Sequence, residues 1–272
     1  MENKYLEEYK RQVLRKSQLK QLDILKVIDN ICRKHNIDYW LDGGSCLGAI
    51  RHKGFIPWDD DIDIAMRKED IPIFEKAAKE ELPDYLMLQT PQTEDTKEPI
   101  IKIRDLNSFY VESTDNFSAD YQKGLYVDIF PMEPYPSVSK KFVKRIQKGI
   151  SKSYSILHHS HYYSIRSFIE FFWFGIEYCL YSAIWSAACK LLPTDTYYGN
   201  VSKNNGYGIM HRKDSIFPVS EVEFEKCKFM APHNPDAYLK DLFHNYMEIP
   251  PVEKRKIHSI FIAPELLHSQ YK

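Results

Sequence analysis

The sequence predicts an α+β protein in which helices cover a mixed β-sheet. Residues 4–34 contain no Pro or Gly and place apolar residues at helical spacing, which is typical of a long amphipathic helix. Several short β-prone runs separated by polar turns follow, and these predict the strands of a mixed or antiparallel sheet. After residue 137 the chain carries basic and apolar runs that predict further helices.

Length and composition favour a globular protein. The chain has 272 residues, of which 43% are hydrophobic and 14% aromatic, enough for a large core. Its formal net charge of −1 gives no general attraction to nucleic acid. The five cysteines include no C-x-x-C pair, which favours reduced thiols. The charged start of the chain lacks an apolar signal core, so we expect a cytoplasmic protein.

The elements follow in order along the chain. The first helix leads into a strand at residues 39–41, and an acidic first turn with an early proline predicts another helix over 69–82. Strands are predicted at 85–90, 100–103, 109–111 and 124–131. The prolines of 131–137 mark a boundary. Beyond it we predict a loop at 197–208, strands within 224–230 and a helix over 236–247.

A glycine turn follows the first predicted strand. Gly43 and Gly44 permit a tight turn with bare backbone N–H groups, and Ser45 can cap a short helix. This pattern indicates a phosphate-binding turn in which Gly44 and Ser45 present backbone donors to an anion.

An acidic run lies a short loop away from this turn. Side chains two positions apart on a strand share a face, so Asp61 and Asp63 are predicted to project together. Two adjacent carboxylates repel each other unless a divalent cation lies between them. Asp59 has the same parity and is the alternative ligand. The competing interpretation is an acidic turn without metal, and the run lacks the ligand spacing of an EF-hand.

Gly43-Gly44-Ser45 and the following run Leu47–Asp63, which contains the acids, resemble the signature of the LicD family, which includes the fukutin-related proteins. The resemblance implies a nucleotidyltransferase-type fold. It also implies transfer of phosphocholine or a polyol phosphate from a CDP-linked donor to a glycan. The residues alone indicate only metal-assisted phosphoryl transfer.

Asp128 stands alone in the apolar strand predicted at 124–131, where an unpaired carboxylate is costly to bury. One interpretation is a hydrogen-bonded structural aspartate at a strand end. The family resemblance implies the other, a third carboxylate of the metal site that completes the metal shell or takes the proton of the acceptor hydroxyl.

Basic and aromatic residues complete the predicted substrate site. Lys102 and Arg104 share one strand face, where they would neutralise a diphosphate together with Arg51. Towards the C-terminus, the family resemblance adds Arg255 and His258. Trp58 is either an aromatic surface for the choline ammonium or a packing residue under the acidic loop.

We predict a catalytic core with its N-terminal helix over residues 1–136 and a mainly helical extension over 137–272. The apolar run 168–189 contains Glu170 and Glu177, which disfavour a membrane span. Both glutamates lie on one helical face. This run is therefore either a buried helix or a helix at a membrane surface, next to a basic run that anionic lipids would attract.

The predicted function is Mg²⁺-dependent transfer of phosphocholine from CDP-choline to a sugar hydroxyl of a surface glycan, with release of CMP; Mn²⁺ could replace Mg²⁺. Three different functions compete with this one: transfer of ribitol or glycerol phosphate from the CDP-polyol, nucleotidyl transfer to protein or RNA, and a non-enzymatic membrane-associated assembly role. The expected partners are a CDP-linked donor, a glycan or lipid-linked glycan acceptor and the inner face of a membrane. Nucleic acid is not an expected partner.

Overall fold

The computed structural model describes residues 4–93, 100–113, 115, 121–158, 164–255 and 257–266. Within these residues, helices surround a mixed sheet of seven strands. The predicted combination of helices with a mixed sheet is therefore confirmed.

The helices, numbered in chain order, are α1 (Lys4–Lys34), α2 (Gly43–His52), α3 (Ile71–Glu81), α4 (Lys140–His158), α5 (Ile165–Leu191), α6 (Lys213–Ile216) and α7 (Pro235–Phe243). The strands are β1 (Tyr39–Leu41), β2 (Asp63–Arg67), β3 (Leu86–Gln89), β4 (Ile101–Asp105), β5 (Phe109–Glu112), β6 (Tyr126–Tyr135), β7 (Tyr197–Asn200), β8 (His211–Arg212), β9 (Ser220–Phe224), β10 (Cys227–Ala231) and β11 (Ser259–Ala263). The segment predicted as a loop over 197–208 begins with β7.

Strand β6 is the centre of the main sheet. On one side it pairs in parallel with β2, and β1 extends the sheet beyond β2. On the other side its first half pairs antiparallel with β4 and its second half with β7. Strand β3 extends the sheet beyond β4, and β8 beyond β7. Two small sheets, β9 with β10 and β5 with β11, lie outside it.

Helix α1 packs its apolar stripe against the rest of the fold, as its spacing predicts. Leu22, Leu25 and Ile28 are buried in the main hydrophobic core. The same helix also buries polar Gln18 and Gln21. Buried amides need hydrogen-bond partners, so these two residues mark a place where α1 holds another segment by polar contacts.

Helices α4 and α5 pack on each other and form a second apolar cluster with the end of β6. Tyr135, Ile146 and Trp185 are buried in this cluster, and the rings of Tyr135 and Trp185 meet edge to face with centroids 4.6 Å apart. Among the described helices, none is long and apolar enough to cross a membrane. The division of the chain at residue 136 stays a prediction.

Candidate active site

Three charged residues form a row across the main sheet. Asp63 of β2 is the register partner of Asp128 of β6, and Asp128 is the register partner of Lys102 of β4. Directly opposite residues project from the same face of a sheet. Lys102 Nζ lies 2.7 Å from Asp128 Oδ1, and both side chains are buried. Two predicted carboxylates and one predicted lysine are thus neighbours.

Asp61 precedes β2 rather than lying in it, because the strand begins at Asp63. The acidic segment instead brings Asp61 close to Asp59 and His258. One potential ligand atom of each of these three residues lies within 4.8 Å of the other two. The structure therefore places Asp59, the alternative ligand, beside Asp61, and adds an imidazole from the C-terminal part of the chain.

The N-terminus of α2 lies directly against these acids. A Cβ atom added to Gly43 would lie 3.2 Å from Asp63 Oδ2, and one added to Gly44 would lie 2.6 Å from Asp59 Oδ2. Gly43 also has φ +48°, a conformation that favours glycine. The N–H groups of Gly44 and Ser45 belong to the first helical turn, where an α-helix offers them no internal acceptor. The first turn of α2 and the carboxylates of Asp59 and Asp63 thus lie close together.

The close approach at Gly44 predicts a selective effect of Gly44→Ala. The added methyl group would push the Asp59 carboxylate from its position, and a displacement of this kind at a reacting centre lowers activity on the order of 10- to 100-fold. We expect little change in melting temperature, because the displaced atoms are the end of a side chain. Initial rates of donor turnover and thermal unfolding measure the two effects.

Gly175→Ala in α5 is the matched control. A Cβ atom there would meet no heavy atom within 4 Å. Alanine in a helix interior stabilises by about 0.5–1 kcal/mol relative to glycine, so this variant should be slightly more stable and fully active. Equal activity of the two variants would contradict the close packing of Gly44 against Asp59.

Asp42 caps α2, although the sequence suggested Ser45 for this role. Asp42 Oδ1 accepts hydrogen bonds from Gly43 N at 2.7 Å and from the Tyr238 hydroxyl at 2.6 Å. Ser45 Oγ accepts a hydrogen bond from Asp63 N at 2.9 Å and so fixes the start of β2 against the helix. The preference for Asp at a helix cap points to Asp42 only once the helix start is known, and nothing in the local sequence signals Tyr238.

Asp60 is a residue of the site region that sequence reasoning missed. Its carboxylate is fully buried and accepts hydrogen bonds from Ser259 N at 2.8 Å, from His258 N at 3.0 Å and from the Tyr110 hydroxyl at 3.1 Å. The backbone carbonyl of Asp60 accepts from Gln21 Nε2 at 2.9 Å. Asp60 therefore ties α1, β5 and the start of β11 to the acidic segment.

Burial and mutual repulsion dominate the electrostatics of the acids. Burial, then the charges of Asp61 and Asp60, raise the pKa of Asp59 to about 8. Burial, then Asp61 and Asp128, raise the pKa of Asp63 well above its ordinary value. Carboxylates that repel one another in this way are stabilised by a divalent cation, and their oxygens are the donors that Mg²⁺ prefers. The donor set therefore fits a magnesium ion.

Two cations of the protein oppose this negative charge. Burial raises the pKa of Asp128 to about 6, although the charge of Lys102 acts against that shift. His258 Nδ1 lies 3.1 Å from Asp61 Oδ2, and hydrogen bonds to Asp60 and Asp61 raise the pKa of His258 to about 11. A protonated His258 is therefore a counter-ion of the acids.

Arg51 and Arg104, two other predicted phosphate-binding residues, form hydrogen bonds within the protein. Arg51 Nη1 donates to the backbone carbonyls of Tyr246 at 2.7 Å and Glu248 at 3.2 Å. Arg104 is buried and donates to Gln89 Oε1 and Gly124 O, each at 2.8 Å. The guanidinium of Arg104 thus supports the sheet in this structure, and its contact with phosphate stays a prediction.

The ring of Trp58 contacts the guanidinium group of Arg255. The Arg255 guanidinium carbon lies 4.3 Å from the ring centroid, a cation–π arrangement. Trp58 is half-buried, whereas the aromatic residues Trp40 and Phe55 on the N-terminal side of it in sequence are buried in the core. Arg255 is therefore in contact with Trp58, the residue that directly precedes Asp59 in the sequence.

Comparison with known proteins supports the resemblance read from the sequence. A family model described as LicD/FKTN/FKRP, nucleotidyltransferase domain, matches residues 36–165. The range contains the glycine turn, the acidic segment and Asp128. This part of the chain therefore matches the LicD family model, as the motif predicted.

Relatives in other organisms have related names. The chain is 28% identical to lipopolysaccharide cholinephosphotransferase LicD of Haemophilus influenzae, over 92% of this chain and 97% of that protein. It is 54% identical over 35 residues to ribitol 5-phosphate transferase FKRP of Homo sapiens, which is 13% of this chain and 7% of that protein. It is also 32% identical over 121 residues to an uncharacterized Rickettsia prowazekii protein, RP689, which is 44% of this chain and 42% of that protein. The two named relatives are transferases of substituted phosphates.

Proposed function

We propose that this protein is a metal-dependent transferase that moves phosphocholine from CDP-choline to a sugar hydroxyl of a glycan and releases CMP. The observation that carries the proposal is the close approach of the Asp59 and Asp63 carboxylates to the bare N-terminus of α2. Such an arrangement offers oxygen ligands for a cation on one side and backbone donors for phosphate oxygens on the other.

Asp61 and Asp63 are the residues that would hold Mg²⁺ or Mn²⁺, with Asp128 completing the set and Asp59 joining or replacing one of them. When bound, the ion supplies positive charge that offsets the charge developing on the diphosphate. The proposed fold around this site is of nucleotidyltransferase type. The proposed catalytic core is residues 1–136.

The side chains around the acids have separate proposed tasks. Gly44 and Ser45 donate backbone hydrogen bonds to phosphate oxygens, and Arg51 stabilises the CMP side. The acceptor oxygen forms a bond to the phosphorus that carries choline, and the bond between that phosphorus and the CMP oxygen breaks. As the alternative to completing the metal set, Asp128 takes the proton of the acceptor hydroxyl. Its pKa of about 6 leaves it mostly ionised at neutral pH and able to act as a base.

The choice of choline follows the relative that matches nearly the whole chain. The cholinephosphotransferase aligns over 97% of its length, whereas the ribitol-phosphate transferase aligns over 7%. The local match still makes CDP-ribitol the second candidate donor. A glycan or lipid-linked glycan on the cytoplasmic face of a membrane is the proposed acceptor.

A donor screen tests the proposal. The purified protein is incubated with CDP-choline, CDP-ribitol or CDP-glycerol, with Mg²⁺ or with a chelator, and CMP release is measured. We expect metal-dependent CMP release that is fastest with CDP-choline. Faster release from CDP-ribitol or CDP-glycerol would move the function to polyol-phosphate transfer on the same site.

The same screen, extended to nucleoside triphosphates, distinguishes the proposed transferase from a nucleotidyltransferase and from a non-enzymatic protein. A nucleotidyltransferase that modifies protein or RNA releases pyrophosphate from a nucleoside triphosphate and no CMP from a CDP-linked donor. A non-enzymatic assembly protein releases neither product. Either result would overturn the proposed reaction.

Trp58→Leu tests how the donor is held. If the ring holds the choline ammonium, the loss of a cation–π contact of about 0.5–2 kcal/mol should raise KM for CDP-choline about 2- to 30-fold. Inhibition by CMP, which lacks choline, should barely change. Steady-state kinetics with CMP as competitor measure both effects, with Tyr85→Leu, another partly exposed aromatic residue, as the control.

The contact between Trp58 and Arg255 provides a different explanation for the same residue. If Trp58 instead positions Arg255 on the diphosphate, Trp58→Leu and Arg255→Leu should weaken binding of CDP-choline and CMP equally. An equal loss of CMP binding and thermal stability in Trp58→Leu would show that the ring supports the acidic loop.

A further inference from the structure

Helix α5 presents a long apolar surface to solvent. Nine large apolar side chains of α5 are each more than half exposed. Six of them recur at helical spacing in the middle of the helix: Phe168, Ile169, Phe172, Trp173, Ile176 and Leu180. Their spacing places them along one side of the helix. We call this set the α5 stripe. A contiguous apolar surface of this size on a folded protein marks an interaction site.

The rest of the hairpin holds the α5 stripe in place. Trp185, further along α5, is buried against Tyr135, and Tyr178 and Tyr181 pack against the same cluster. Gly149 of α4 permits the contact, because a Cβ atom there would lie 2.5 Å from the Tyr181 ring. One side of α5 is therefore packed against α4, and this packing holds the α5 stripe in position.

Helix α4 adds positive charge to the same hairpin. It contains no Asp or Glu, and its exposed side chains include Lys141, Lys144, Arg145 and Lys148. Within the part of the chain that the structure describes, none of these four forms an ion pair. The neighbouring acid Glu170 is already paired with Arg166 at 2.9 Å. The hairpin thus combines an apolar helix with a basic one.

We propose that the α4–α5 hairpin binds the surface of a bilayer that contains anionic lipids. The α5 stripe enters the boundary between headgroups and acyl chains, and the α4 lysines contact lipid phosphates. Phenylalanine, tryptophan and leucine beside a Lys/Arg-rich face are typical of interfacial helices. A symmetric pairing of two copies through this hairpin would instead bring two basic helices together, which repulsion disfavours.

Vesicle flotation tests the proposal without reference to catalysis. The 272-residue chain is mixed with phosphatidylcholine vesicles or with vesicles in which roughly a third of the lipid is phosphatidylglycerol. We expect flotation with the anionic vesicles, weakened by salt because the charge attraction is screened. Trp173 is 62% exposed, whereas Trp40 and Trp185 are buried and the half-buried Trp58 lies outside the hairpin, so brominated acyl chains should quench Trp173 emission selectively.

Paired variants distinguish binding through the α5 stripe from non-specific hydrophobic binding to vesicles. Phe172→Ser with Trp173→Ser should weaken vesicle binding at least about tenfold, since two large apolar side chains no longer enter the bilayer. Ile73→Ser with Tyr85→Ser is the control, because both residues are similarly exposed but lie outside the hairpin. The control should bind like the wild type.

A second pair tests the charge. Lys144→Glu with Lys148→Glu should reduce binding to anionic vesicles about tenfold or more and leave weak binding to neutral vesicles unchanged. Lys16→Glu with Lys76→Glu, which changes lysines of α1 and α3 outside the hairpin, matches the change in net charge and should have a small effect.

Three results would overturn the proposal. The first is that the protein floats neither with neutral nor with anionic vesicles. The second is an equal loss of vesicle binding in the stripe variant and its control. The third is a protein that binds no vesicles and is a dimer in lipid-free solution, and that becomes monomeric on Phe172→Ser with Trp173→Ser. The α5 stripe would then be an interface between copies. Failure of the donor screen would leave each of these readouts unchanged.

Discussion

Asp61→Asn and Asp63→Asn are each expected to lower the rate of transfer at least about a thousandfold while the fold survives. Each substitution keeps the size of the side chain and removes one negative charge from the proposed cation site. Stability should be equal or slightly higher, because burial and the neighbouring acids Asp61 and Asp128 already raise the pKa of Asp63. CMP release from CDP-choline and thermal unfolding measure the two effects.

Asp84→Asn provides the control, since Asp84 is exposed and lies outside the acidic segment. This variant should keep both activity and melting temperature. Wild-type turnover by Asp61→Asn or Asp63→Asn would refute the assignment of these two residues to the metal. A melting temperature that Mg²⁺ raises in the wild type and not in the two variants would support that assignment independently of catalysis.

Patterns confined to one element predicted much of the fold. The helical spacing of Leu22, Leu25 and Ile28 is sufficient to predict α1 and its buried side, because periodicity depends only on nearby residues. The β-prone runs predicted β3, β4, β5 and β6 to within a few residues. The pairing of β7 with β6 joins residues about 65 positions apart, and no local pattern encodes it.

In the candidate site, too, local sequence patterns predicted some features, whereas contacts between distant parts of the chain decide the others. The motif predicted the glycine turn and the acidic segment. Strand parity predicted a shared face for Asp61 and Asp63, but it does not apply to Asp61, because β2 begins at Asp63. Register across three strands, which local sequence does not give, decides that Lys102 faces Asp128. The role of Asp60 was missed because its partners come from β5 and from the segment at the start of β11.

Asp60→Asn is expected to destabilise the protein by about 3–5 kcal/mol, in contrast to the same change at the adjacent Asp61. The Asp60 carboxylate accepts from the backbone N–H groups of His258 and Ser259, one on each oxygen. An asparagine side chain offers one oxygen and one NH₂ group, so one of these N–H groups would face another donor in a fully buried place. The expected loss of melting temperature is on the order of 10 °C.

Tyr110→Phe tests the same cluster more mildly. It removes the hydroxyl that donates to Asp60 Oδ2 at 3.1 Å and leaves the carboxylate with its backbone donors, so we expect a loss of about 1 kcal/mol. Denaturant unfolding of Asp60→Asn, Asp61→Asn and Tyr110→Phe measures all three. Asp60→Asn should be by far the least stable, and it should also lose activity, because His258 and Asp61 depend on the loop that Asp60 fixes. A wild-type midpoint for Asp60→Asn would show that this buried carboxylate does not hold the C-terminal segment against the acidic segment.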